Sequence, residues 1–208
     1  MGKVLFMRKG NKHTKPSSQL PSGYTKLAYI QSSGAQNIDT LFYPKYNSRV
    51  VVDIEGLGTN NQFVFGTRNA NSATSSLQFN IFRNSATTIR SDYFGTNKAI
   101  SVADTSERTV IDKNGNVVTM FGQTVANTAV STGTCTYSLY LFALNEVGIT
   151  TSWASYKLYS CHIYDNGTLV RDYVPCINPS GAVGLYDLVG KKFYGNAGTG
   201  AFTGSEVA

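Results

Sequence analysis

The chain has 208 residues, of which 41% are hydrophobic and only 14% are charged. That length fits one β-sandwich with a short appendage, and the 20 glycines and 13 tyrosines favour short strands and turns over helices. The net charge of +6 is uneven: residues 1–16 hold five basic and no acidic side chains, whereas the other 13 basic side chains meet 12 acidic ones. The nearly neutral remainder argues against a nucleic-acid groove. The lack of a long apolar run argues against membrane insertion and a signal peptide, so we expect synthesis in the cytoplasm.

Residues 1–19 are predicted to be a basic arm and linker, separate from a domain over residues 20–208. The apolar stretch Val4–Met7 is too short to bury itself, so a strand formed there needs a partner edge. We expect another subunit to supply that edge; the alternative is that the arm extends its own sheet. The residues expected to anchor the arm are Lys3, Val4, Leu5, Phe6, Arg8 and Lys9.

Strand patterns then follow one another along the chain. In Arg49–Glu55, Val50, Val52 and Ile54 share one face, which is the alternation of a half-buried strand. Gly and Asn separate these patterns at intervals of about ten residues, which indicates a β-sandwich. The other predicted strands are Gln62–Thr67, Leu77–Arg83, Thr87–Phe94, Arg108–Asp112, Val117–Phe121, Ser138–Leu144, Tyr156–Tyr164 and Leu169–Val174.

Two hairpin turns are predicted, at Asp165–Gly167 and at Asn114–Gly115, since Asn-Gly favours a two-residue type I′ turn. The three cysteines, Cys135, Cys161 and Cys176, are too few and too far apart for a disulfide framework or a zinc site. We expect free buried thiols. A bridge between Cys161 and Cys176, on the two arms of the last hairpin, stays open as the exception.

Two segments near the ends of the chain carry a family resemblance. The C-terminal run IYDNGTLVRDYVPC, followed by GAVGLYDLVGKKFYGNAGTG, and the opening LPSGYTKLAYIQSSGAQNIDT resemble concanavalin A-like (laminin-G-like) jelly-roll domains. These domains occur in tail fibres and other virion proteins of phages and prophages of gut Firmicutes. The likeness spans about residues 20–204. Motifs that follow in the family's order between the two ends are Arg49–Glu55, Phe65–Arg68, Arg90–Tyr93, Asp112–Asn116 and Leu139–Asn145.

The resemblance implies an all-β, concanavalin A-like jelly-roll sandwich of two antiparallel sheets with a short N-terminal arm. It also implies a virion protein, assembled in the cytoplasm of the host bacterium. The expected partners are capsid or tail subunits, further copies of the chain, with a trimer favoured, and a cell-surface glycan.

Catalysis and metal binding have little support in the sequence. Asp53 and Glu55 alternate like the carboxylates of jelly-roll glycosidases, but the third acidic residue of those enzymes is missing, so we expect a solvated strand face. His162 is expected to be a packing histidine, and no catalytic triad or metal site emerges. Asp112–Asn116 departs from a calcium loop and fits a hairpin better. The resemblance still allows calcium at another loop.

Sugar binding needs polar groups beside an aromatic face. The loops Gly56–Asn61, Asn69–Ser76 and Asn145–Trp153 have that composition, and Trp153, the single tryptophan, is a candidate stacking platform. The alternative is that Trp153 packs over the edge of the sandwich. Further candidate ligand-binding residues, taken from the family-like motifs, are Arg68, Arg90, Asp92, Tyr93 and Asn145. Arg171 and Asp172, by contrast, are expected to form a structural pair with each other within the last hairpin.

The leading expectation is a non-enzymatic virion protein that attaches to the host surface or a glycan. It would be a tail fibre or receptor-binding domain, or else a head decoration or head fibre. The alternative is a free bacterial carbohydrate-binding module or adhesin without catalytic activity.

Overall fold

A computed structural model describes residues 19–59, 61–71, 77–128 and 132–207. The predicted anchoring residues Lys3, Val4, Leu5, Phe6, Arg8 and Lys9 lie outside this part, as do residues 60 and 72–76 of two predicted loops. The described part contains only β-structure, and no helix in it could cross a membrane. Its strands are β1 (Thr25–Gln31), β2 (Ile38–Asp39), β3 (Arg49–Glu55), β4 (Gln62–Arg68), β5 (Gln78–Ser85), β6 (Thr88–Tyr93), β7 (Thr96–Ser101), β8 (Thr109–Asn114), β9 (Val117–Met120), β10 (Gln123–Ala126), β11 (Tyr140–Leu141), β12 (Leu144–Glu146), β13 (Ile149–Thr151), β14 (Lys157–Asp165), β15 (Thr168–Ile177), β16 (Val183–Asp187), β17 (Lys192–Tyr194) and β18 (Thr203–Glu206).

These strands form the two sheets of a jelly-roll sandwich, which confirms the predicted fold class. The larger sheet has the order β10-β9-β8-β3-β14-β1-β15-β16-β17, with β18 on β1 and an added β14–β15 pairing. The smaller sheet has the order β13-β12-β4-β5-β6-β7, with β11 bridging β2 and β4. The pairing is antiparallel throughout the described strands except between β12 and β4.

The core lies between the sheets and follows from the alternation of each strand. On β3, Val50, Val52 and Ile54 are at most 1% exposed, and they face Phe65, Phe79 and other inward side chains of the smaller sheet. A separate apolar cluster around Cys176 and Tyr186 covers the outer face of the larger sheet at its β15–β17 end. The larger sheet is therefore buried on both sides at that end, and its remaining outer surface is centred on β3 and β14.

Both predicted hairpins form, one of them with a shifted turn. Asn166 (φ 49°) and Gly167 (φ 78°) make the two-residue turn between β14 and β15, as the Asn-Gly signal predicts. Asn114 instead pairs with Val117 as the last residue of β8, so the second turn consists of Gly115 and Asn116. Gly115 takes the positive φ of 55° that this turn requires.

The predicted strand Ser138–Leu144 is wrong as a single strand. Phe142 adopts a φ of 66°, which ends β11 and turns the chain so that β12 runs parallel to β4. Tyr140 and Leu144 both pair with Gly66 as a result. The burial of Phe142 against Tyr156, with ring centroids 4.2 Å apart, offsets the cost of this conformation.

The three cysteines are buried free thiols, as expected. Cys161 faces the core between the sheets, whereas Cys176 faces the outer apolar cluster. Side chains on opposite faces of one sheet cannot bridge, so the exception left open for Cys161 and Cys176 is wrong.

Candidate functional site

The outer face of the larger sheet carries a continuous set of charged and tyrosine side chains. It arises because the residues between the core positions of β3 and β14 point away from the core. Asp53 and Glu55 project outward from β3, and Lys157, Tyr159 and His162 project from β14 beside them. The outer face is therefore polar, and its side chains project from strands whose backbone is held by the hydrogen bonds of the sheet.

Ion pairs link β3 to both of its neighbours. Arg49 binds both oxygens of Asp112 on β8 at 2.8 and 2.6 Å. Asp53 is bound in the same bidentate way by Arg108, at 2.9 and 2.7 Å. These pairs are half exposed, so each contributes at most about 1 kcal/mol to stability. Their larger effect is to fix the orientation of the charged groups.

Tyr159 lies at the centre of this face. Its hydroxyl donates a hydrogen bond of 2.5 Å to Glu55, and Lys157 donates to the other Glu55 oxygen at 2.6 Å. The guanidinium carbon of Arg108 lies 3.7 Å from the centre of the Tyr159 ring, and the Tyr29 ring centre lies 5.5 Å away. The aromatic ring is thus held between a cation and a second ring.

An open groove of about 440 Å³ lies beside Tyr159. Its lining comes from β1, β3, β14 and β15, with Arg108 before β8 and Val207 after β18. Its polar side is formed by Asp53, Arg108 and His162, and by Asp172, whose carboxylate lies 3.3 Å from His162 Nε2. Apolar atoms of residues such as Val174 line the rest. Lys26 borders the groove as an exposed cation.

The hydrogen bonds of this face keep Glu55 and Arg108 charged and Tyr159 protonated. The bond from Lys157, and then the bond from Tyr159, lower the pKa of Glu55. The bond to Asp53 raises the pKa of Arg108. Burial, followed by the bond to Glu55, raises the pKa of Tyr159, so its hydroxyl stays protonated. At neutral pH Glu55 is an anion and cannot serve as a general acid.

Asp53 and Glu55 therefore lie on the solvent-facing side of β3, as expected from the alternation. Both oxygens of Asp53 are occupied by Arg108, and both oxygens of Glu55 are occupied by Lys157 and Tyr159. Each carboxylate has a structural partner. The two carboxylates lie side by side on one face of β3, each held by its own partners. In a glycosidase, by contrast, the two carboxyl groups face each other across the glycosidic bond.

Two expectations about β14 and β15 are wrong. Arg171 and Asp172 do not pair, because neighbouring residues of a strand point to opposite faces. Arg171 turns inward, 3.6 Å from the buried Asp187, and Asp172 turns outward to His162. His162 is likewise a partly exposed side chain at the groove, where a packing histidine was expected.

The predicted ligand-binding residues lie elsewhere, mostly on the smaller sheet. Arg90 binds Asp92 at 2.8 and 3.0 Å, and the Asp92 side chain is 1% exposed. Burial raises the pKa of Asp92. Arg68 pairs with Glu146 at 2.9 Å on a different row of the same sheet. The structure brings Arg90 and Asp92 together and leaves Arg68 apart from them.

The remaining predicted residues have local contacts. The Tyr93 ring is in the core, and its hydroxyl donates to the Tyr46 carbonyl at 2.9 Å. Asn145 is buried and donates to the Ser138 carbonyl at 3.0 Å. Trp153 is 39% exposed in the segment between β13 and β14, away from the groove of Tyr159. Ligand binding by these residues stays a prediction.

The predicted residues thus do not converge on one site, whereas Tyr159, Arg108, His162, Asp172 and Lys26 do. The alternation of Tyr156–Tyr164 was a sequence signal for an outward row on β14. The side chains that lie next to this row are determined by the non-local pairings of β14 with β3 and of β1 with β15, which the sequence does not predict.

In the described ranges, no group of three or more His, Cys, Asp and Glu side chains is placed to hold a metal ion. Asp112 binds Arg49, and Asn116 donates to the Asn127 carbonyl at 3.0 Å. The turn after β8 therefore has the contacts of a hairpin. A comparison with protein-family models and with curated proteins finds no match to this chain.

Proposed function

We propose that this protein is a non-enzymatic attachment protein that binds a surface carbohydrate in the groove beside Tyr159. The observation that carries the proposal is the combination, in one open groove, of a tyrosine, apolar side chains and paired charged groups held in fixed orientations. Sugars present hydroxyl groups around an apolar ring face, and such a surface matches both.

The paired groups suit neutral hydroxyls in particular. Asp172 and His162 offer an acceptor and a donor at neighbouring positions, and the Arg108–Asp53 pair lies in the same groove. Vicinal hydroxyls of a sugar can bridge such pairs with little reorganisation, because the side chains are already ordered by their partners. The occupied oxygens of Asp53 and Glu55 favour binding over glycoside hydrolysis.

The virion context is supported by the likeness of residues 20–204 to phage jelly-roll domains. In this proposal the basic arm anchors the sandwich to capsid or tail subunits, and further copies assemble around the attachment point as a trimer. A tail fibre and a head decoration are both compatible with this arrangement. A free bacterial carbohydrate-binding module or adhesin is the second candidate. The same groove favours it, but this function would give the basic arm no role.

The direct test is glycan-array binding by the full chain and by groove variants. We expect His162→Ala and Tyr159→Ala each to weaken binding by about tenfold, equivalent to ~1.4 kcal/mol. Lys98→Ala on β7 is the matched control, since Lys98 is exposed on the other sheet. Thermal unfolding of each variant checks that its fold is intact.

Other outcomes would contradict parts of the proposal. Loss of binding on Trp153→Ala, with the groove variants unaffected, would move the site to the Asn145–Trp153 loop. Release of reducing sugar from a bound glycan would show an enzyme. No binding to any glycan by the folded protein would leave a structural virion protein without a carbohydrate ligand.

A further inference from the structure

A lysine is buried between the two sheets. Lys113 on β8 is 0% exposed, because it follows Ile111 in the inward row of that strand. Its amine lies 4.7 Å from the centre of the Phe79 ring and 5.5 Å from that of the Tyr93 ring. A lysine in such a place is costly to keep charged, so its environment favours the neutral amine.

Three side chains form a chain of hydrogen bonds at this point. Lys113 Nζ donates to Ser91 Oγ at 2.7 Å, and Ser91 Oγ donates to Asn127 Oδ1 at 3.3 Å. Asn127 Nδ2 donates to the Ser91 carbonyl at 3.0 Å, which fixes the orientation of the amide. Asn127 is only 3% exposed. The lysine amine and the Asn127 amide carbonyl are therefore separated by one hydroxyl group.

Among the described residues, no carboxylate forms an ion pair with the amine. Asp92, which follows Ser91 on β6 of the smaller sheet, points to the outer face of that sheet, where Arg90 binds both of its oxygens. Burial raises the pKa of the neighbouring Cys135 to about 12, so that residue is an uncharged thiol. Burial lowers the pKa of Lys113 to about 7, which leaves a substantial fraction of neutral, nucleophilic amine at neutral pH.

We propose that Lys113 and Asn127 join in an intramolecular isopeptide bond. Lys113 Nζ attacks Asn127 Cγ, the new Nζ–Cγ bond forms and the Cγ–Nδ2 bond breaks. One proton passes from Nζ to Nδ2, and ammonia leaves. The reaction is an amide exchange, so it needs no oxidant, reductant or cofactor.

The fold supplies the proximity and the stabilisation of charge that this exchange lacks in water. Intramolecular reactions between well-oriented groups reach effective molarities on the order of 10⁵–10⁸ M, and Lys113 and Asn127 are held here in a desolvated site one hydroxyl group apart. The Ser91 hydroxyl already donates to the carbonyl oxygen that gains negative charge during attack. The Asn127 main chain is fixed too, since its N–H donates to the Asn116 carbonyl at 2.9 Å. The product would tie β8 to the end of β10 within the core.

Intact-mass spectrometry of the full chain tests the proposal. We expect a mass lower than that of the sequence by one ammonia, after allowing for removal of Met1. Lys113→Met should restore the full mass, since it keeps a buried side chain of similar length without an amine. Fragmentation after proteolysis should yield a branched peptide that contains Lys113 and Asn127.

A wild-type mass equal to the sequence mass would overturn the proposal. So would an ammonia deficit that persists in Lys113→Met, because a succinimide at Asn-Gly would then explain it. Ser91→Ala keeps both reacting groups and is expected to lose most of the deficit; an undiminished deficit would overturn the role of the Ser91 hydroxyl. Asn127→Ala provides a second unreactive variant if Lys113→Met fails to fold.

Discussion

Tyr156 and Tyr159 are three residues apart and have opposite roles. Tyr159 faces the groove, whereas Tyr156 is buried and donates a hydrogen bond of 2.7 Å to the Val64 carbonyl. We predict that Tyr156→Phe lowers the free energy of unfolding by about 1 kcal/mol, because the ring contact with Phe142 remains and one buried hydrogen bond is lost. Urea denaturation measures the change. Tyr46→Phe, at a residue that is 40% exposed, is the control, and equal losses in both variants would contradict the account.

Lys113 is expected to titrate within the folded state wherever the isopeptide bond is blocked, as in Asn127→Ala. Burial lowers the pKa of Lys113 from 10.5 to about 7, so the unfolded state binds more protons than the folded state between about pH 7 and pH 10. Stability in this background should therefore rise with pH over that range, relative to Asn127→Ala/Lys113→Met. Urea midpoints at several pH values measure the difference. Parallel curves for the two proteins would contradict a buried, titrating amine.

At the residue scale, alternation predicts which side chains face outward but not what they meet. Asp53 was correctly placed on a solvated face from the Val50, Val52 and Ile54 pattern. The pairing of His162 with Asp172 was missed, because their register across the β14–β15 hairpin decides it. Adjacent residues such as Arg171 and Asp172 are close in sequence but are directed apart by the strand.

At the scale of the strand, β4 requires a glycine at its contact with β5 and β12. A Cβ added at Gly66 would lie 2.8 Å from the Asn80 Cβ and 3.0 Å from side-chain carbons of Leu144 and Phe63. We predict that Gly66→Ala destabilises the protein by about 1–3 kcal/mol through overpacking. Gly195→Ala is the contrast, since its Cβ meets only the Phe193 ring edge at 3.3 Å. Equal thermal shifts for the two variants would rule out this explanation.

Strands with a clear alternating pattern could be predicted, whereas strands such as β1, β7 and β16 and the breaks between strands could not. The bounds of β3 agree fully with the alternating pattern, and the Asn166–Gly167 turn follows from local turn chemistry. The break between β11 and β12 was missed because a large hydrophobic residue, Phe142, takes the left-handed conformation there. Tertiary contacts impose that conformation on Phe142, and no Gly, Asn or Pro stands at this position to predict a turn.

At the scale of the whole molecule, the proposed anchor and the proposed binding face belong to different parts of the chain. We predict that deletion of residues 1–16 leaves the thermal unfolding of the sandwich unchanged and abolishes incorporation into particles. The physical reason is that five of the chain's basic side chains and its short apolar segment Val4–Met7 are removed, while the described core keeps its contacts. Retained incorporation of the shortened chain would refute the arm as anchor.

The groove was the least predictable feature, because it exists only where β1, β3, β14 and β15 meet. Sequence patterns predicted β3, β14 and β15 separately but missed β1, and β1 and β15 lie about 150 residues apart along the chain. The most direct measurement of the central claim is hydrogen–deuterium exchange of the full chain with and without a glycan identified on an array. We predict added protection in β14, around Tyr159 to His162, and in the facing part of β15. Protection confined to the Asn145–Trp153 segment, with β14 unchanged, would contradict the account.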